Sequence, residues 1–294
     1  MTSDVRVEKA QRFGKLHDGS KLLALPNVWE VAGARIFEEA GFEAIGTTSR
    51  GVAASMGYPD GEAMSRDEML EVVARIVNGV SIPVSADMEA GYGETPEEVA
   101  KTGAGVLSAG AVGINIEDGR NIVGERKSAE LRDQSLQIEK IQALREVASS
   151  EGVPLVINAR TDAYWLEVGD PTKRLDLAID RGNAYRQAGA DCVFVPGVTD
   201  AETIAKLVQG IDGPINILAV KDSPSLPELQ DLGVARVSVG SGPYRATLAL
   251  LTAIGNELKQ VGTYTSFTES ALRYGELIHA LTREGEEHID YPSE

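Results

Sequence analysis

The sequence predicts an α/β protein in which eight strands alternate with helices to form a (β/α)8 TIM barrel. Three observations lead to this prediction: short apolar runs recur along the 294 residues, helical patterns separate them, and glycine or proline precedes most of the runs. Continuous apolar runs are typical of parallel strands that helices cover. A doubly wound open sheet is the alternative, but no glycine fingerprint of a dinucleotide site follows a strand, because Gly103-Ala-Gly105 lies within a helical pattern.

The predicted elements follow one another in a regular order. Residues 2–18 form an extra helical pattern before the repeat begins. The eight predicted strands are Leu22–Pro26, Glu43–Thr47, Ile82–Asp87, Val112–Glu117, Pro154–Arg160, Asp191–Val195, Pro214–Ala219 and Ala235–Val239. The helical patterns between them include Asp67–Asn78, Pro96–Ala109, Ser135–Ser150 and Lys173–Ala188. Glycine supplies the left-handed cap at a helix end, and proline fits the first position of a strand.

We expect one domain over residues 1–294, in which residues 264–294 form a C-terminal helical extension and tail. Apolar residues of this extension recur at spacings of three and four, and they are Phe267, Ala271, Tyr274, Leu277 and Ile278. A barrel already closed by eight helices leaves these residues exposed. The pattern therefore predicts a homo-oligomer, a dimer or a tetramer, in which the extension packs against another subunit.

The composition restricts the partners and the cellular compartment. The chain has 28 basic and 45 acidic residues, a net charge of −17, which argues against nucleic acid or an anionic membrane as a partner and suits binding of divalent cations. The single cysteine, Cys192, excludes an internal disulfide framework and suits a reducing compartment. No stretch approaches the ~20 apolar residues of a membrane span, and the N-terminus is charged throughout. We expect a cytoplasmic protein.

Acidic side chains stand at the ends of two neighbouring predicted strands. Asp87 and Glu89 are two residues apart and face the same side, while Glu117 and Asp118 end the next strand. The carboxyl ends of barrel strands meet at the face where barrel enzymes carry out their chemistry. An all-oxygen set without histidine or thiol suits Mg2+, with Mn2+ as a second possibility. The alternative is that these acids are solvated or form salt bridges.

Other polar residues are expected at the same face. Arg160 suits a substrate carboxylate, although it could simply neutralise Glu117. The further candidates at strand ends are Asn27, Trp29, Thr47, Thr48, Ser49, Arg50, Asn158, Asp162, Asn216 and Ser241. Asn27 and Asn158 could instead satisfy backbone groups of the barrel, and Trp29 could be a packing wall.

Four motifs in this order resemble those of the isocitrate lyase/phosphoenolpyruvate mutase superfamily. The run Ser85-Ala-Asp87-Met-Glu89-Ala-Gly91-Tyr-Gly93 resembles its Asp-x-Asp-x-Gly-Tyr-Gly motif. Glu117-Asp118 resembles its Glu-Asp strand end, and Ala159-Arg160-Thr-Asp162 its Ala-Arg-x-Asp/Glu motif. Thr47–Arg50, followed by Gly57-Tyr-Pro-Asp60, resembles its substrate-carboxylate loop and gating segment.

The resemblance implies a (β/α)8 barrel with Mg2+, a 2-oxo or 2-hydroxy acid substrate, an enolate-type intermediate, and last helices swapped between subunits. Asp87 would be the main metal ligand, with Glu89 and Glu117 holding the ion largely through water. The backbone amides around Thr48 and Ser49 would bind carboxylate oxygens of the substrate, and Asp60 would lie on the gate. From their places at the predicted strand ends, we also expect substrate contacts from Trp29, Arg50, Asn158 and Asn216.

The sequence also departs from the branches of this superfamily. The lyases carry a Lys-Lys/Arg-Cys-Gly-His loop whose cysteine is the catalytic acid, whereas residues 117–128 here contain neither cysteine nor histidine. The phosphonate-handling enzymes carry a lysine where this chain has Gly119. The oxaloacetate decarboxylase branch carries a histidine where this chain has Ser241-Gly242-Pro243.

The strand-end residues, together with what the resemblance implies, predict a Mg2+-dependent carbon–carbon lyase, of decarboxylase or retro-aldol type, that acts on a small 2-oxo or 2-hydroxy di-acid through a metal-stabilised enolate. Arg160, Glu117 and Asp118 are the expected catalytic residues, and Arg126 is expected to contact the distal carboxylate. Two alternatives stay open: a non-catalytic or weakly catalytic member that binds 2-oxo dicarboxylates, and a phosphonopyruvate-type enzyme that cleaves a P–C bond.

Overall fold

The computed structural model describes residues 3–120, 130–269 and 271–282. Within these residues nine parallel strands form a single sheet, and two more form a small antiparallel hairpin. The strands of the sheet are β1 (Leu23–Leu25), β2 (Asn27–Val28), β3 (Ile45–Thr47), β4 (Val84–Asp87), β5 (Gly113–Glu117), β8 (Val156–Arg160), β9 (Cys192–Val195), β10 (Ile215–Leu218) and β11 (Arg236–Ser238). The hairpin strands are β6 (Gly119–Arg120) and β7 (Glu130–Leu131).

Helices follow the strands as the sequence pattern predicts. They are α1 (Ser3–Lys15), α2 (Val31–Glu39), α3 (Ser49–Ser55), α4 (Arg66–Gly79), α5 (Pro96–Ser108), α6 (Gln134–Ser150), α7 (Arg174–Gln187), α8 (Ala201–Gly210), α9 (Leu226–Asp231), α10 (Gly242–Gln260), α11 (Thr265–Thr268) and α12 (Tyr274–Leu281). The described part of the C-terminal extension contains two short helices, α11 and α12. No helix among the described residues is long and apolar enough to cross a membrane.

Proline divides the first barrel strand and thereby completes the ring. β1 pairs with β11, whereas β2 pairs with β3, so the two halves of this strand join opposite edges of the sheet. Pro26 separates them because it has no N–H for a ladder, although its carbonyl accepts a hydrogen bond from the Gly46 N–H. The predicted (β/α)8 barrel is confirmed, with this strand in two pieces.

Prolines also explain why several strands are shorter than predicted. Pro83, Pro154 and Pro214 precede β4, β8 and β10, whose ladders begin one or two residues later. The missing N–H of proline leaves it at the entry to the strand rather than in the ladder. The carboxyl ends of the strands, which bear the candidate site, end where the sequence predicts or within one residue of it.

Helix α1 covers the amino-terminal end of the barrel. Ala10 and Phe13 are completely buried, and Phe13 packs so closely on β5 that a Cβ at Gly113 would lie 2.5 Å from its ring. This end is therefore closed. A ligand reaches the barrel interior from the opposite end, where the loops after the strands are.

Candidate active site

A cavity opens at the carboxyl ends of the barrel strands, as the fold predicts. Most predicted site residues line it: Thr48, Ser49, Arg50, Asp60, Asp87, Glu117 and Arg160. The strand registers bring them together, since Glu117 on β5 lies beside Arg160 on β8, and Asp87 on β4 lies beside Asn115 on β5. Glu89 and Glu117 also line an adjoining cavity beside the β6–β7 hairpin.

Asp87 is held by the start of α3. Its Oδ2 accepts hydrogen bonds from the Ser49 N–H and hydroxyl, both at 2.9 Å, and its own N–H donates to Thr47 Oγ1 at 2.8 Å. Thr48 caps α3 through its side chain, so the positive end of this helix faces the carboxylate. Oδ1 accepts no hydrogen bond from a described residue and is left for a ligand in the cavity.

Glu89 is tied to the segment that the sequence indicates as a gate. Its Oε2 accepts hydrogen bonds from the N–H groups of Gly61 and Glu62, and its Oε1 accepts one from the Tyr92 hydroxyl at 3.1 Å. Burial, together with the nearby charge of Asp60, raises the pKa of Glu89 to about 7, although the hydrogen bonds from Glu62 and Tyr92 oppose the shift. Glu89 thus holds the gate segment against the acidic cluster.

Glu117 and Arg160 form an ion pair inside the cavity. Arg160 Nη1 lies 2.6 Å from Glu117 Oε2, and its Nε donates to Asp162 Oδ1 at 2.6 Å. Burial raises the pKa of Glu117 although Arg160 opposes this, while Asp162, Glu117 and Asp87 raise the pKa of Arg160 against the effect of burial. Arg160 does neutralise Glu117, yet its Nη2 donates to no described residue and remains open to a substrate carboxylate.

The acidic set fits a hard divalent cation held largely through water. Among the described residues no group of three acidic, histidine or cysteine side chains is compact enough to hold a metal by direct bonds. Asp87 Oδ1 and Glu117 Oε1 both lack hydrogen-bond donors from the described chain, and both residues line the cavity. Mg2+ keeps several waters and takes few carboxylates directly, so this donor set suits it.

Arg50 and Asp60 form a second ion pair at the edge of the cavity. The Arg50 Nε and Nη2 both lie 2.8 Å from Asp60 Oδ2, and this pair links α3 to the gate segment. The indole of Trp165 lies 5.9 Å from the guanidinium carbons of both Arg50 and Arg160. Cation–π contacts with these two guanidinium groups hold the Trp165 ring at the mouth of the cavity.

Six of the predicted site residues line neither cavity at this face. Two of them, Thr47 and Asp162, instead hold Asp87 and Arg160 through hydrogen bonds. Trp29 packs against Tyr244, with ring centroids 5.1 Å apart, so it is a packing wall. Asn158 and Asn216 are completely buried one layer below, where they bond to Asn115 and Ser238. Strand periodicity shows which side of the sheet a residue faces but not its depth in the barrel. For this reason the sequence predicts both asparagines in the wall of the cavity, although they lie below it.

Asp118, which the sequence predicts to be catalytic, also lies outside the cavity. It is fully buried behind the strand ends, where its Oδ2 accepts hydrogen bonds from the Tyr185 hydroxyl at 2.6 Å and from Arg181 Nη1 at 3.0 Å. Its Oδ1 accepts one from the Asp162 N–H at 2.8 Å. Asp118 therefore positions the segment after Arg160 and has no free oxygen for a substrate. Arg126 lies outside the described residues and stays a prediction.

Sequence reasoning missed several residues of the cavity wall. They are Asn115, Trp165, Phe194, Pro196, Leu218 and Ser238. Asn115 precedes Glu117 by two residues on the same strand face and could have been found by that spacing. Trp165 comes from a loop without a periodic pattern, so only the tertiary structure places it. Asn27, which does line the cavity, also satisfies the N–H groups of Val239 and Gly240, as the backbone alternative foresaw.

A family model described as phosphoenolpyruvate phosphomutase matches residues 13–259. The 2-methylisocitrate lyase of Escherichia coli K12 is 30% identical over 255 residues, which are 84% of this chain and 83% of the relative. The chain belongs to the isocitrate lyase/phosphoenolpyruvate mutase superfamily.

Solved structures agree with this membership. A protein of Burkholderia cenocepacia J2315 described as a lyase/mutase superposes with a TM-score of 0.85 at 36% identity, over 94% of this chain and 96% of that one. A phosphonopyruvate hydrolase in complex with oxalate and Mg2+ shares the fold, with a TM-score of 0.79 at 23% identity over 92% and 94% of the two chains. The present chain is thus an enzyme of a superfamily of lyases and mutases.

The glycine at position 119, where the phosphonate-handling branch of the superfamily carries a lysine, has a structural reason. A Cβ at Gly119 would lie 2.2 Å from Asp162 Oδ2, so the position has no room for a side chain. The lysine that the phosphonate-handling branch carries there would displace the carboxylate that holds Arg160.

Proposed function

We propose that this protein is a Mg2+-dependent carbon–carbon lyase, of decarboxylase or retro-aldol type, that acts on a small 2-oxo or 2-hydroxy di-acid through an enolate. The observation that carries the proposal is that Asp87, Glu117 and Arg160 line one cavity, while Asp87 Oδ1, Glu117 Oε1 and Arg160 Nη2 have no partner among the described residues. Two carboxylate oxygens and one guanidinium nitrogen form a site for a cation together with a carboxylate.

The residues of the cavity have different proposed roles in binding the metal ion and the substrate. Asp87 would hold the ion, and Glu89 and Glu117 would orient its waters. A bound Mg2+ would supply Lewis-acid stabilisation of the negative charge that develops on the substrate. Arg160 would bind a substrate carboxylate. The N–H groups of Thr48 and Ser49, for which the resemblance implies the same role, already donate to the Val28 carbonyl and to Asp87 Oδ2. The Arg50–Asp60 pair and Trp165 would limit the access of water.

The acid–base groups favour decarboxylation over retro-aldol cleavage. The only cysteine of the sequence, Cys192, is fully buried on β9, and burial raises the pKa of its thiol to about 12. No histidine or cysteine is among the described residues that line the cavity. Loss of CO2 needs no base, whereas cleavage of a hydroxy acid requires both a base and an acid. The same observation keeps the non-catalytic binder as the second candidate.

The test is a screen of oxaloacetate, methylisocitrate and related 2-oxo and 2-hydroxy acids with and without Mg2+, followed by thermal shift and product detection. We expect Mg2+-dependent turnover of at least one di-acid. Stabilisation by Mg2+ and di-acid without any product would favour the binder. The absence of both would overturn the proposal.

Asp87→Ala provides the residue-level test. We expect the variant to lose stabilisation by Mg2+ with oxalate and to lose turnover, yet to remain folded. The two lost hydrogen bonds from Ser49 cost about 2 kcal/mol, offset in part by relief of repulsion among the acids. Asp180→Ala, which removes an exposed carboxylate on α7, is the matched control. Unchanged binding of Mg2+ and oxalate by Asp87→Ala would show that the metal site is elsewhere.

A further inference from the structure

A buried cation lies beneath the floor of the cavity. Arg236 on β11 is only 1% exposed, and among the described residues no carboxylate lies within ion-pair distance of it. Its Nε and Nη1 are buried without a hydrogen-bond partner in the described chain. Burial lowers its pKa to about 10, so the guanidinium is still charged at neutral pH. The charge of Asp87 acts on this guanidinium only from beyond ion-pair distance, and a buried charge without a close partner is costly.

The side chain that Arg236 contacts is Asn115. Arg236 Nη2 donates to Asn115 Oδ1 at 3.3 Å, and Asn158 Nδ2 donates to the same oxygen at 2.8 Å. Because a guanidinium can only donate, the oxygen of the Asn115 amide must face Arg236. The network thus assigns the orientation of the amide.

The other end of this amide is the free one. Asn115 lines the cavity, and its Nδ2 donates no hydrogen bond to a described residue. Its strand places it beside Asp87 and two residues before Glu117, at the base of the acidic set. The cavity floor therefore presents a neutral N–H donor next to the expected metal ligands.

A cation behind a neutral amide has a distinct electrostatic effect. The hydrogen bond from Arg236 polarises the Asn115 amide and strengthens its N–H as a donor, since hydrogen bonds in series reinforce one another in a low dielectric. A cationic side chain at the same place would repel a divalent ion at Asp87. A polarised amide instead stabilises an anionic oxygen without adding net charge to the floor.

We propose that Asn115 donates a hydrogen bond through Nδ2 to an anionic oxygen of the bound 2-oxo acid or its enolate, and that Arg236 is the positioning residue that orients and polarises this amide. The inference rests on the proposed function, because it requires such an acid in the cavity. It adds a substrate contact that no motif of the sequence indicated.

Oxalate, a planar dianion that resembles the enolate of a 2-oxo acid, is the probe. Calorimetric titration of the parent in the presence of Mg2+ measures its affinity. Asn115→Ala is expected to weaken oxalate binding about tenfold or more, the usual effect of losing a hydrogen bond to a charged group, with Mg2+ affinity within twofold of the parent. Asn115→Asp is expected to weaken oxalate further, because its carboxylate pairs with Arg236 and offers no donor.

Arg236 is tested through its dependence on Asn115. Arg236→Met is expected to weaken oxalate binding several-fold, and Arg236→Lys is expected to restore part of the loss. The double variant Asn115→Ala/Arg236→Met should bind no more weakly than Asn115→Ala, because Arg236 acts through that amide. Additive losses would overturn the positioning role. If Arg236→Met does not fold, the same comparison is made with Arg236→Lys, measured alone and in combination with Asn115→Ala.

Ile217→Val is the matched control, since it trims a fully buried side chain of the same barrel that does not line the cavity. Its oxalate affinity should equal that of the parent. Failure of the parent to bind oxalate with Mg2+ would overturn the proposed function. A parent that binds oxalate, with Asn115→Ala binding equally well, would overturn this inference alone.

Discussion

At the scale of single residues, His17 links the charge state of the protein to its stability. It follows α1 and is only 4% exposed, and its ring packs edge-on against Phe13 with centroids 4.8 Å apart. Its Nδ1 must donate to the Phe13 carbonyl, 2.9 Å away, because a carbonyl only accepts. Its Nε2 is buried with no partner in the described chain, so protonation there is unfavourable.

Burial, together with the nearby charge of Arg236, lowers the pKa of His17 to about 4 from an ordinary value of 6.5. The unfolded chain therefore binds the proton more tightly, and stability is complete above pH 6.5 and falls as the pH decreases toward 4. The shift predicts a loss of about 3 kcal/mol over this window. Urea unfolding at a series of pH values measures it.

His17→Asn is the control, because its amide can still donate to the Phe13 carbonyl but does not titrate. The difference in unfolding free energy between parent and variant should shrink or reverse as the pH falls from 6.5 to 4. A difference that is constant across this range would show that His17 does not take part in the pH dependence.

At the scale of elements, the junction of β5, the β6–β7 hairpin and β8 depends on a glycine. Gly119 begins the hairpin and faces Asp162, whose burial raises its pKa to about 6 even though Arg160 opposes the shift. Gly119 also accepts a hydrogen bond through its carbonyl from Arg132 Nη1. Because glycine has no side chain, Asp162 can approach Gly119 closely and stay hydrogen-bonded to Arg160.

Gly119→Ala should force Asp162 away from Arg160. We expect overpacking to lower the free energy of unfolding by about 1–3 kcal/mol and the affinity for oxalate to fall, because Arg160 loses the partner of its Nε. Gly14→Ala in α1 is the matched control, since its Cβ would meet nothing closer than Val156 at 4.0 Å. Equal stability and oxalate affinity of Gly119→Ala and the parent would contradict the close contact.

At the scale of the whole molecule, the apolar surface of the C-terminal helices predicts association. No residue of α10 is buried, and its exposed leucines are Leu248, Leu250, Leu251 and Leu258. Leu251 and Leu258 are seven residues apart and share a face of the helix. Helix α12, in the predicted extension, packs against α2 of the same chain. An apolar surface of this kind is typical of an interface, so the predicted homo-oligomer, with swapped helices as the resemblance implies, remains our expectation.

Leu251→Glu and Leu258→Glu should therefore lower the mass measured by light scattering, and truncation before Tyr264 should dissociate or aggregate the protein. Val5→Glu on α1 is the control, because it places the same charge on another exposed apolar residue, at 43% exposure. A monomeric parent, or variants that keep the mass of the parent, would refute the prediction.

The sequence by itself determined the fold class and the acidic end of the site. Continuous apolar runs, glycine caps and entry prolines are local features, and eight strand–helix units in series leave few topologies available. Asp87, Glu89, Glu117 and Arg160 could be predicted because each stands at the end of a strand, and in a parallel barrel all such ends meet at one face.

Only the tertiary structure decided the depth and the partners of the other residues. Asn158, Asn216 and Asp118 occur in the same kind of position along the chain, yet they lie below or behind the cavity, whereas Asn115 forms its floor. Arg236 meets Asn115 across the barrel, 121 residues away in sequence. Such pairs depend on the stagger of the strands and on the closure of the ring, which arise from packing of the whole barrel and leave no local pattern in the sequence.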